Sequence, residues 1–344
     1  MDDQPPRPPR RKRYAGKNPR RFEDKYKEHD PSRHAETVSK VLASGKTPAG
    51  MHVPIMMEEC LGALQLAPGQ QGVDATLGYG GHAREILAGI SPGGFLIGLD
   101  VDPIEQPKTG KRLKAAGFGA ECFLARHSNY AGIRKVLDAQ EIEAVDFVFA
   151  DLGCSSMQFD DPSRGFSFKT EGPLDMRMNP ERGVSAADWL AKVSPLKLAT
   201  ALGENSDEPR AEEIAEALAG ASLRRTSDLV RLVERIPAVA RLDEELRELT
   251  LRRVFQAIRI AVNEEFSALD AFLRVLPACL KPGGRAVILT FHSGEDRRVK
   301  KSFQFGEKDG VYASVSDGVI VASAEERRNN PRSSPAKLRW AVKA

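Results

Sequence analysis

The feature that most constrains this chain is a glycine-rich turn between an apolar run and an amphipathic run. The segment from Gly72 to His82 reads GVDATLGYGGH, and Gly78 and Gly80 lie where the backbone must turn sharply. Glycine adopts positive φ without steric cost and lets the backbone approach a ligand closely. The N–H groups that open the following helix attract carboxylate or phosphate groups. The pattern therefore predicts a strand, a tight turn and a helix N-terminus with the geometry of a ligand site.

An acidic residue follows this turn at the spacing of a nucleoside-binding site. Residues 95–100 read FLIGLD, an apolar strand that ends in Asp100 about 20 residues beyond the turn. An acid at this place commonly accepts hydrogen bonds from ribose hydroxyls. The spacing Gly78-x-Gly80-x-x-Ala83 satisfies the dinucleotide fingerprint, whereas Asp74-x-x-x-Gly78-x-Gly80 is shared by enzymes that bind S-adenosylmethionine. The turn alone leaves both cofactors open, together with a tight turn that holds no ligand.

The other apolar runs predict a doubly wound α/β domain with a parallel sheet. Strands are predicted at 71–75, 95–100, 120–125, 145–151 and 285–291, and helical segments at 56–64, 83–87, 107–117 and 133–137. Open sheets of this kind bind ligands at the carboxyl ends of their strands. Asp151 and the sequence HSGEDR at 292–297 lie at two such ends. Two final strands, at 318–322 and 338–342, are consistent with an antiparallel hairpin at the sheet edge.

A stretch without strand patterns interrupts this domain and predicts a helical insert. Ser194-Pro195 reads as a helix start, Gly220 ends a helix over 211–219, and Thr226 caps a helix over 228–236. A long amphipathic helix is predicted over 254–276, and a polar stripe of Gln256, Arg259 and Asn263 is expected to face solvent. We therefore divide the chain into a basic, disordered extension (1–50), a first part of the sheet domain (51–180), the helical insert (181–250) and a second part (251–344).

Charge and cysteine content narrow the classes of function. The net charge is only +3, but the first 50 residues concentrate arginines and lysines among prolines and aromatic residues. Such a segment cannot bury enough surface to fold alone, and it suits either RNA contact or a solubilising role. The four cysteines form no C-x-x-C pair, so we expect neither a zinc site nor a disulfide framework, and a reducing cytoplasm is expected. No apolar run approaches the ~20 residues of a membrane span.

Several motifs together resemble one family, the MraW/RsmH methyltransferases of bacterial small-subunit ribosomal RNA. They occur in the family's order and cover roughly residues 51–344. The matching stretches are DATLGYGGH at 74–82, DVDP at 100–103, DLGCSSMQ at 151–158, RGFSF at 164–168, PLDMRM at 173–178, FQAIRIAVN at 255–263 and FHSGEDR at 291–297. The run from Arg164 to Met178 is far more specific than the glycine turn.

The resemblance implies a Rossmann-like, S-adenosylmethionine-dependent methyltransferase sheet with an inserted all-helical subdomain. It implies methyl transfer from S-adenosylmethionine to N4 of a cytidine in the decoding region of 16S rRNA, within the small ribosomal subunit. Cofactor contacts are expected from Gly80, Gly81, His82, Asp100, Tyr130, Asp151 and Gln158, and Tyr130 stands where the family usually has phenylalanine. Substrate contacts are expected from Arg164, Phe166, Phe168, Arg177, Arg259, Asn263 and His292. No metal is needed, and no feature sets an oligomeric state.

The catalytic residue predicted from the sequence is Asp151. Acceptors near the end of the fourth strand would hold the N–H groups of the target amine, and Asp151 and the carbonyls of 152–153 are the candidates. Cys154 invites a second interpretation, nucleophilic attack on C6 followed by methylation of C5, but Gly153 precedes it where those enzymes have proline. We therefore expect methylation at N4.

Two departures from the family pattern concern the substrate. Residues 251–254 read LRRV where the family commonly has His-Pro-Ala-Thr, and Gly294 replaces a usual leucine. A paralogue that methylates another RNA is one alternative. A nicotinamide-dependent oxidoreductase and an RNA-binding assembly factor with a vestigial pocket are the alternatives from other classes.

Overall fold

An eight-stranded sheet forms the centre of the protein, for which a computed structural model describes residues 54–344. The predicted basic extension lies outside the described residues. The strands are β1 (Gln71–Asp74), β2 (Phe95–Asp100), β3 (Phe123–His127), β4 (Val145–Asp151), β5 (Leu280–Thr290), β6 (Tyr312–Val315), β7 (Ile320–Val321) and β8 (Lys337–Lys343). Their order is β3-β2-β1-β4-β5-β8-β6, and β7 pairs with β8. Strands β1 to β5 are parallel, so their carboxyl ends share one edge, and the winding reverses between β1 and β4.

Helices cover both faces of this sheet and build the insert. Those of the sheet domain are α1 (Met57–Leu64), α2 (Gly81–Ile90), α3 (Glu105–Ala115), α4 (Ile133–Asp138), α5 (Ser156–Asp160), α12 (Glu265–Val275), α13 (Ser293–Lys308) and α14 (Ala324–Asn329). Those of the insert are α6 (Ala186–Lys192), α7 (Pro195–Ser206), α8 (Ala211–Leu218), α9 (Thr226–Arg235), α10 (Pro237–Ala240) and α11 (Glu244–Val262). Among the described residues, no helix is long and apolar enough to cross a membrane.

Alternation along the central strands fills two cores, one on each face of the sheet. Val148 and Ala150 of β4 face one core, and Phe147 and Phe149 face the other. Because helices cover both faces, β4 is an almost continuous apolar run rather than an alternating one. This double burial explains why the sequence signal for β4 is strong.

A third apolar core belongs to the helical insert. Its buried members all lie between Leu174 and Ile258, so the subdomain packs around its own side chains. Ser194 caps α7 as predicted, because its side chain accepts the N–H of Lys197. Helix α11 runs through residue 250, where the sequence division ends the insert, and its last turns enter the site described below.

The single helix predicted over 254–276 is wrong. Helix α11 ends at Val262 and α12 begins at Glu265, because Glu264 adopts a left-handed conformation with φ of 51°. The predicted solvent-facing stripe is also wrong, since Arg259 is only 8% exposed. The break lets α12 turn back so that Glu265 pairs with Arg259, a tertiary contact that apolar periodicity does not report.

Two smaller predictions need correction. Thr226 does not cap α9; it is the first helical residue, and its hydroxyl donates to the carbonyl of Thr170 while Asp228 accepts the N–H of Arg225. Strand β8 is not at the sheet edge either, because it lies between β5 and β6, a strand that the sequence reading missed. The predicted antiparallel pairing of the last two strands is confirmed by β7 and β8.

Candidate functional site

The glycine turn between β1 and α2 is held by the acid at the end of β2. Gly78 and Gly80 have φ of 48° and 85°, as the turn required. Asp100 accepts the N–H of Gly78 through Oδ2 at 2.7 Å and that of Asp102 through Oδ1 at 2.8 Å. A Cβ on Gly80 would lie 2.7 Å from Cγ2 of Thr109. Asp100 therefore shapes the turn, and at Gly80 packing also requires glycine.

The residues just after this turn pack against the first described segment of the chain. A Cβ on Gly81 would lie 2.4 Å from Cγ of Pro54. The Nε2 atom of His82 lies 3.0 Å from the carbonyl oxygen of Ile55, so Nε2 carries the proton, and Nδ1 lies 3.6 Å from Oδ2 of Asp151. The predicted cofactor residues Gly80, Gly81 and His82 are thus brought beside Asp151.

Three carboxylates gather at the carboxyl ends of neighbouring strands. Asp74 ends β1, Asp100 ends β2 and Asp151 ends β4, and these strands are adjacent in the sheet. Within residues 54–344, no lysine or arginine forms an ion pair with any of them, and His82 is the one basic side chain near Asp151. Three acids therefore lie at one edge of the sheet, and within the described residues none of them is neutralised by a lysine or arginine.

Burial raises the pKa of each of these acids. The pKa of Asp74 rises to about 7 and that of Asp100 to about 6, in each case against hydrogen bonds from backbone N–H groups that lower it. Burial, with the negative charges of Asp74 and Glu295, raises the pKa of Asp151 to about 8. A cationic ligand would stabilise the ionised acids, whereas an anionic pyrophosphate would be repelled. A positively charged cofactor would therefore lower the pKa values of these acids and favour their ionised forms.

A buried ion pair connects the end of β2 to the long loop after β4. Asp102 is 1% exposed, and its Oδ2 accepts Nη1 of Arg164 at 2.8 Å and Nε2 of Gln158 at 2.9 Å. The Oε1 atom of Gln158 accepts the N–H of Ser155. The oxygen and the nitrogen of the Gln158 side-chain amide are therefore both engaged within the protein. Arg164 is buried and is not presented to a substrate.

The rest of that loop is fixed by side chains from α11 and from itself. Asn263 accepts the N–H of Met178 and donates to the carbonyl of Met176, at 2.7 and 2.8 Å. Arg177 forms a bidentate ion pair with Asp175, and its side chain stays partly accessible. Asn263 therefore holds the loop, while Arg177 keeps an accessible edge.

The aromatic residues predicted to contact the substrate differ in accessibility. Phe166 is 2% exposed and belongs to the protein interior. Phe168 is half-buried and packs edge-on against Phe255. Phe159, which approaches Phe166, is 38% exposed. Phe159 is therefore the most accessible ring in this loop for stacking on a base.

A charged network lies behind the loop that follows β4. Arg259 donates to both carboxylate oxygens of Glu265, at 2.8 and 2.9 Å, and to Sγ of Cys154 at 3.2 Å. Tyr130 donates its hydroxyl to the carbonyl of Glu265 at 3.3 Å and packs on Phe272. Burial, only partly offset by Arg259, raises the pKa of Cys154 to about 11, so the thiol is protonated at neutral pH. This protonation disfavours a thiolate nucleophile.

The segment after β5 brings His292 and Glu295 to the same edge of the sheet. His292 caps α13, because its Nδ1 accepts the N–H of Glu295, and Glu295 accepts the N–H of Phe291 through Oε2 at 2.8 Å. A Cβ on Gly294 would lie 2.5 Å from Cζ of Phe266. Because the Phe266 ring leaves no room for a side chain, the departure from leucine has a packing reason.

Three residues of the site were not singled out from the sequence: Asp102, Glu265 and Glu295. Asp102 and Glu295 lie inside the motifs DVDP and FHSGEDR, so the motifs marked their positions but not their roles. Glu265 lies outside every matching motif. Its role depends on the helix break at Glu264, which was not predicted from the sequence.

The fold and this site define a class of protein: an α/β enzyme whose glycine turn and acid-rich strand ends suit the cationic cofactor S-adenosylmethionine. A comparison with protein-family models then identifies the particular family. The model of the MraW methylase family matches residues 49–344, so this chain belongs to that family. The chain is a methyltransferase, its cofactor is S-adenosylmethionine, and the dinucleotide alternative is wrong.

Curated relatives match this chain over all or nearly all of their length. A "Ribosomal RNA small subunit methyltransferase H 1" of Lachnoclostridium phytofermentans is 49% identical over 100% of this chain and 95% of that protein. A protein of the same name from Agathobacter rectalis is 47% identical over 97% of each. A "Ribosomal RNA small subunit methyltransferase H 2" of Alkaliphilus metalliredigens is 46% identical over 100% of each.

Proposed function

We propose that this chain transfers a methyl group from S-adenosylmethionine to N4 of a cytidine in 16S rRNA of the small ribosomal subunit, in the cytoplasm. The observation that supports the cofactor part is the group of three acids at neighbouring strand ends, Asp74, Asp100 and Asp151, none of which pairs with a lysine or arginine among the described residues. The names of the relatives carry the RNA part, and the matching motifs carry the position of the methyl group. The decoding region is the proposed location of the target.

The predicted cofactor residues can be given individual roles in this proposal. S-adenosylmethionine, when bound, supplies an electrophilic methyl group on a positively charged sulfur. Asp100 orders the glycine turn and offers oxygens for the ribose, while Asp151 and Asp74 supply negative charge. Gly80, Gly81 and His82 form the helix start. Tyr130 and Gln158 hold the segments after β3 and β4 in place, Tyr130 through Glu265 and Gln158 through Asp102, and we propose that these segments bound the cofactor site.

The substrate residues are proposed to act in two ways. Arg164, Arg259, Asn263 and Phe166 are engaged inside the protein, so we propose that they position the loop that receives the base. Arg177, Phe168 and His292 retain an accessible edge or a free donor, so they remain candidates for direct contact.

The test is methyl transfer to small subunits that lack this modification, followed by nucleoside mass spectrometry and mapping of the modified fragment. N4-methylcytidine in the decoding region is the expected product, and calorimetry should show binding of S-adenosylmethionine but not of NAD. A 5-methylcytidine product would assign the chemistry to Cys154. RNA binding without methyl transfer would indicate an assembly factor.

A further inference from the structure

His292 and Glu295 form a donor and an acceptor side by side at the carboxyl end of β5. The Nε2 atom of His292 lies 3.1 Å from Oε1 of Glu295. Within residues 54–344 this Nε2 atom is buried and has no hydrogen-bond partner, because the contact with Oε1 is not aligned as a hydrogen bond. The two side chains are 10% and 4% exposed, so neither is a solvated surface group.

The proton on the histidine can be assigned from its hydrogen bond. The Nδ1 atom accepts the backbone N–H of Glu295, so it presents a lone pair and the ring proton is on Nε2. Nε2 is therefore an N–H donor without an aligned acceptor. A buried donor left in this state costs free energy, and a ligand acceptor would relieve that cost.

The two oxygens of the Glu295 carboxylate have different neighbours. Oε2 accepts the N–H of Phe291, which fixes the side chain at the start of α13. Oε1 lies 3.1 Å from Nε2 of His292 and faces Gly153, in the loop after β4. Apart from the chain neighbours of Gly153, no other described atom lies within 4.0 Å of the position a Cβ would take on that glycine. Gly153 has φ of 93°, so the backbone exposes this gap without a side chain to fill it.

The gap lies at the carboxyl-terminal edge of the sheet, where the target base would enter. It is bounded by the loop after β4 and by the segment after β5, and open α/β sheets bind ligands outside these strand ends. Asp151 pairs in register with Leu289 of β5, so the segment after β5 that carries Glu295 begins beside the end of β4. Asp151 belongs with the acids of the cofactor edge, whereas Glu295 faces it from the β5 side.

We propose that Glu295 is the catalytic residue that accepts a proton from the target amine, and that His292 and Glu295 together read the cytosine edge. This proposal rests on the proposed function. Cytosine presents an acceptor at N3 and a donor at N4, which match the His292 N–H and the Glu295 carboxylate. Uracil presents the opposite pattern, a donor at N3 and an acceptor at O4, and would leave both protein groups opposed by like groups.

The chemical step balances with these two residues. The lone pair of the N4 nitrogen forms a bond to the methyl carbon while the carbon–sulfur bond breaks. The electron pair of the broken carbon–sulfur bond passes to sulfur. The nitrogen, then positively charged, releases one of its protons to Oε1 of Glu295. The amine becomes N4-methylcytosine, the cofactor product is neutral at sulfur, and the carboxylate is left protonated until it returns its proton to water.

The test compares Glu295→Gln with Asp296→Asn as the matched control. Asp296 is the next residue in the same helical turn, but its carboxylate pairs with Arg339 of β8, away from the gap. We expect Glu295→Gln to lower the single-turnover rate of methyl transfer to unmodified small subunits by ~10²–10⁴-fold. The dissociation constants for S-adenosylmethionine and for the subunit should stay close to those of the unaltered protein. Asp296→Asn should retain the rate.

Chemical rescue separates catalysis from helix capping. Glu295→Ala leaves space at the gap, so added formate should restore part of the rate, and it should not affect Asp296→Asn. Base preference gives a readout independent of turnover. The unaltered protein should bind unmodified subunits with cytidine at the target roughly 10- to 100-fold better than subunits with uridine there, and His292→Phe should lose most of that preference.

The outcomes are distinguishable. Loss of methyl transfer in Glu295→Gln alone, with cofactor binding intact and rescue by formate, supports the proposal. Equal rates for Glu295→Gln and the unaltered protein overturn it while leaving N4 methylation in place. Equal losses in both variants, or a loss explained by weaker cofactor binding, assign Glu295 a structural role. A product other than N4-methylcytidine from the unaltered protein overturns the proposed function and this inference with it.

Discussion

Replacing Asp74 by asparagine should stabilise the ligand-free protein at alkaline pH. Asp74 is 1% exposed, and burial, reinforced by the charge of Asp100, raises its pKa to about 7. Its Oδ1 accepts the N–H of Thr76, a hydrogen bond that needs only a carbonyl-type oxygen. The substitution keeps that oxygen and removes the carboxylate that is costly to ionise.

The size of the effect follows from the shift in pKa. The folded chain holds the Asp74 proton up to about pH 7, whereas the unfolded chain releases it near the ordinary value of about 3.9. Between these values the unfolded chain binds fewer protons, so stability falls as the pH rises. From about pH 5 to above pH 7, about two pH units at ~1.4 kcal/mol each cost the unaltered protein about 3 kcal/mol. Asp74→Asn has no carboxyl group to ionise at this position and therefore does not lose this stability.

Urea unfolding at about pH 5 and about pH 8.5 measures this difference. Relative to the unaltered protein, Asp74→Asn should gain about 3 kcal/mol between the two conditions, with unchanged dependence on urea. Asp146→Asn is the control, because Asp146 lies on neighbouring β4, is half-buried and pairs with Lys281 at 3.0 Å. A gain of the same size in Asp146→Asn would indicate a general effect of removing negative charge. If Asp74→Asn changes stability equally at both pH values, or loses stability at the higher pH, the assignment of a costly buried charge is refuted.

Four further predictions concern other parts of the molecule. Asp100→Ala should weaken binding of S-adenosylmethionine by roughly 1.5–3 kcal/mol in calorimetry, because it removes a charged acceptor and the bond that holds Gly78; unchanged affinity in a folded variant would contradict this role. Cys154→Ala should retain substantial methyl transfer with N4-methylcytidine as product, whereas an inactive, folded variant that binds both substrates would reopen the cysteine mechanism. Arg259→Ala should lower the free energy of unfolding by about 3–5 kcal/mol, because it leaves Glu265 buried without its partner; a loss below 1 kcal/mol would argue against the pair. Deleting residues 1–48 should reduce the salt dependence of RNA binding and leave cofactor affinity unchanged, and an identical salt slope would assign the extension a solubilising role.

Local patterns predicted most of the sheet, because every strand except β6 carries a signal of its own. The run over 145–151 is confirmed residue for residue, and the glycine turn and Ser194 cap have the predicted geometry. These features depend on burial, on positive φ or on a single side-chain bond to a nearby N–H group, all of which short segments encode.

Contacts between distant segments could not be read in this way. The break at Glu264 brings Glu265 to Arg259, and helical periodicity across residues 254–276 gives no sign of it. Gln158 and Arg164 were expected to face ligands, but Asp102, more than fifty residues earlier, binds both. The residues assigned to contact the cofactor and the substrate remain predictions, which the variants described above test.

The position of the helical insert has a consequence for how the chain folds. Val145 of β4 pairs with Leu280 of β5, so the central parallel pairing spans the whole insert. Loop-closure entropy grows only with the logarithm of length, so doubling the roughly 130 intervening residues would add only about 0.6 kcal/mol. The insert can therefore change in length over evolution at little thermodynamic cost. Kinetically the pairing is a late contact, because distant strands meet only after the intervening chain has collapsed. We therefore expect the edge where Gly153 faces Glu295 to be completed late in folding.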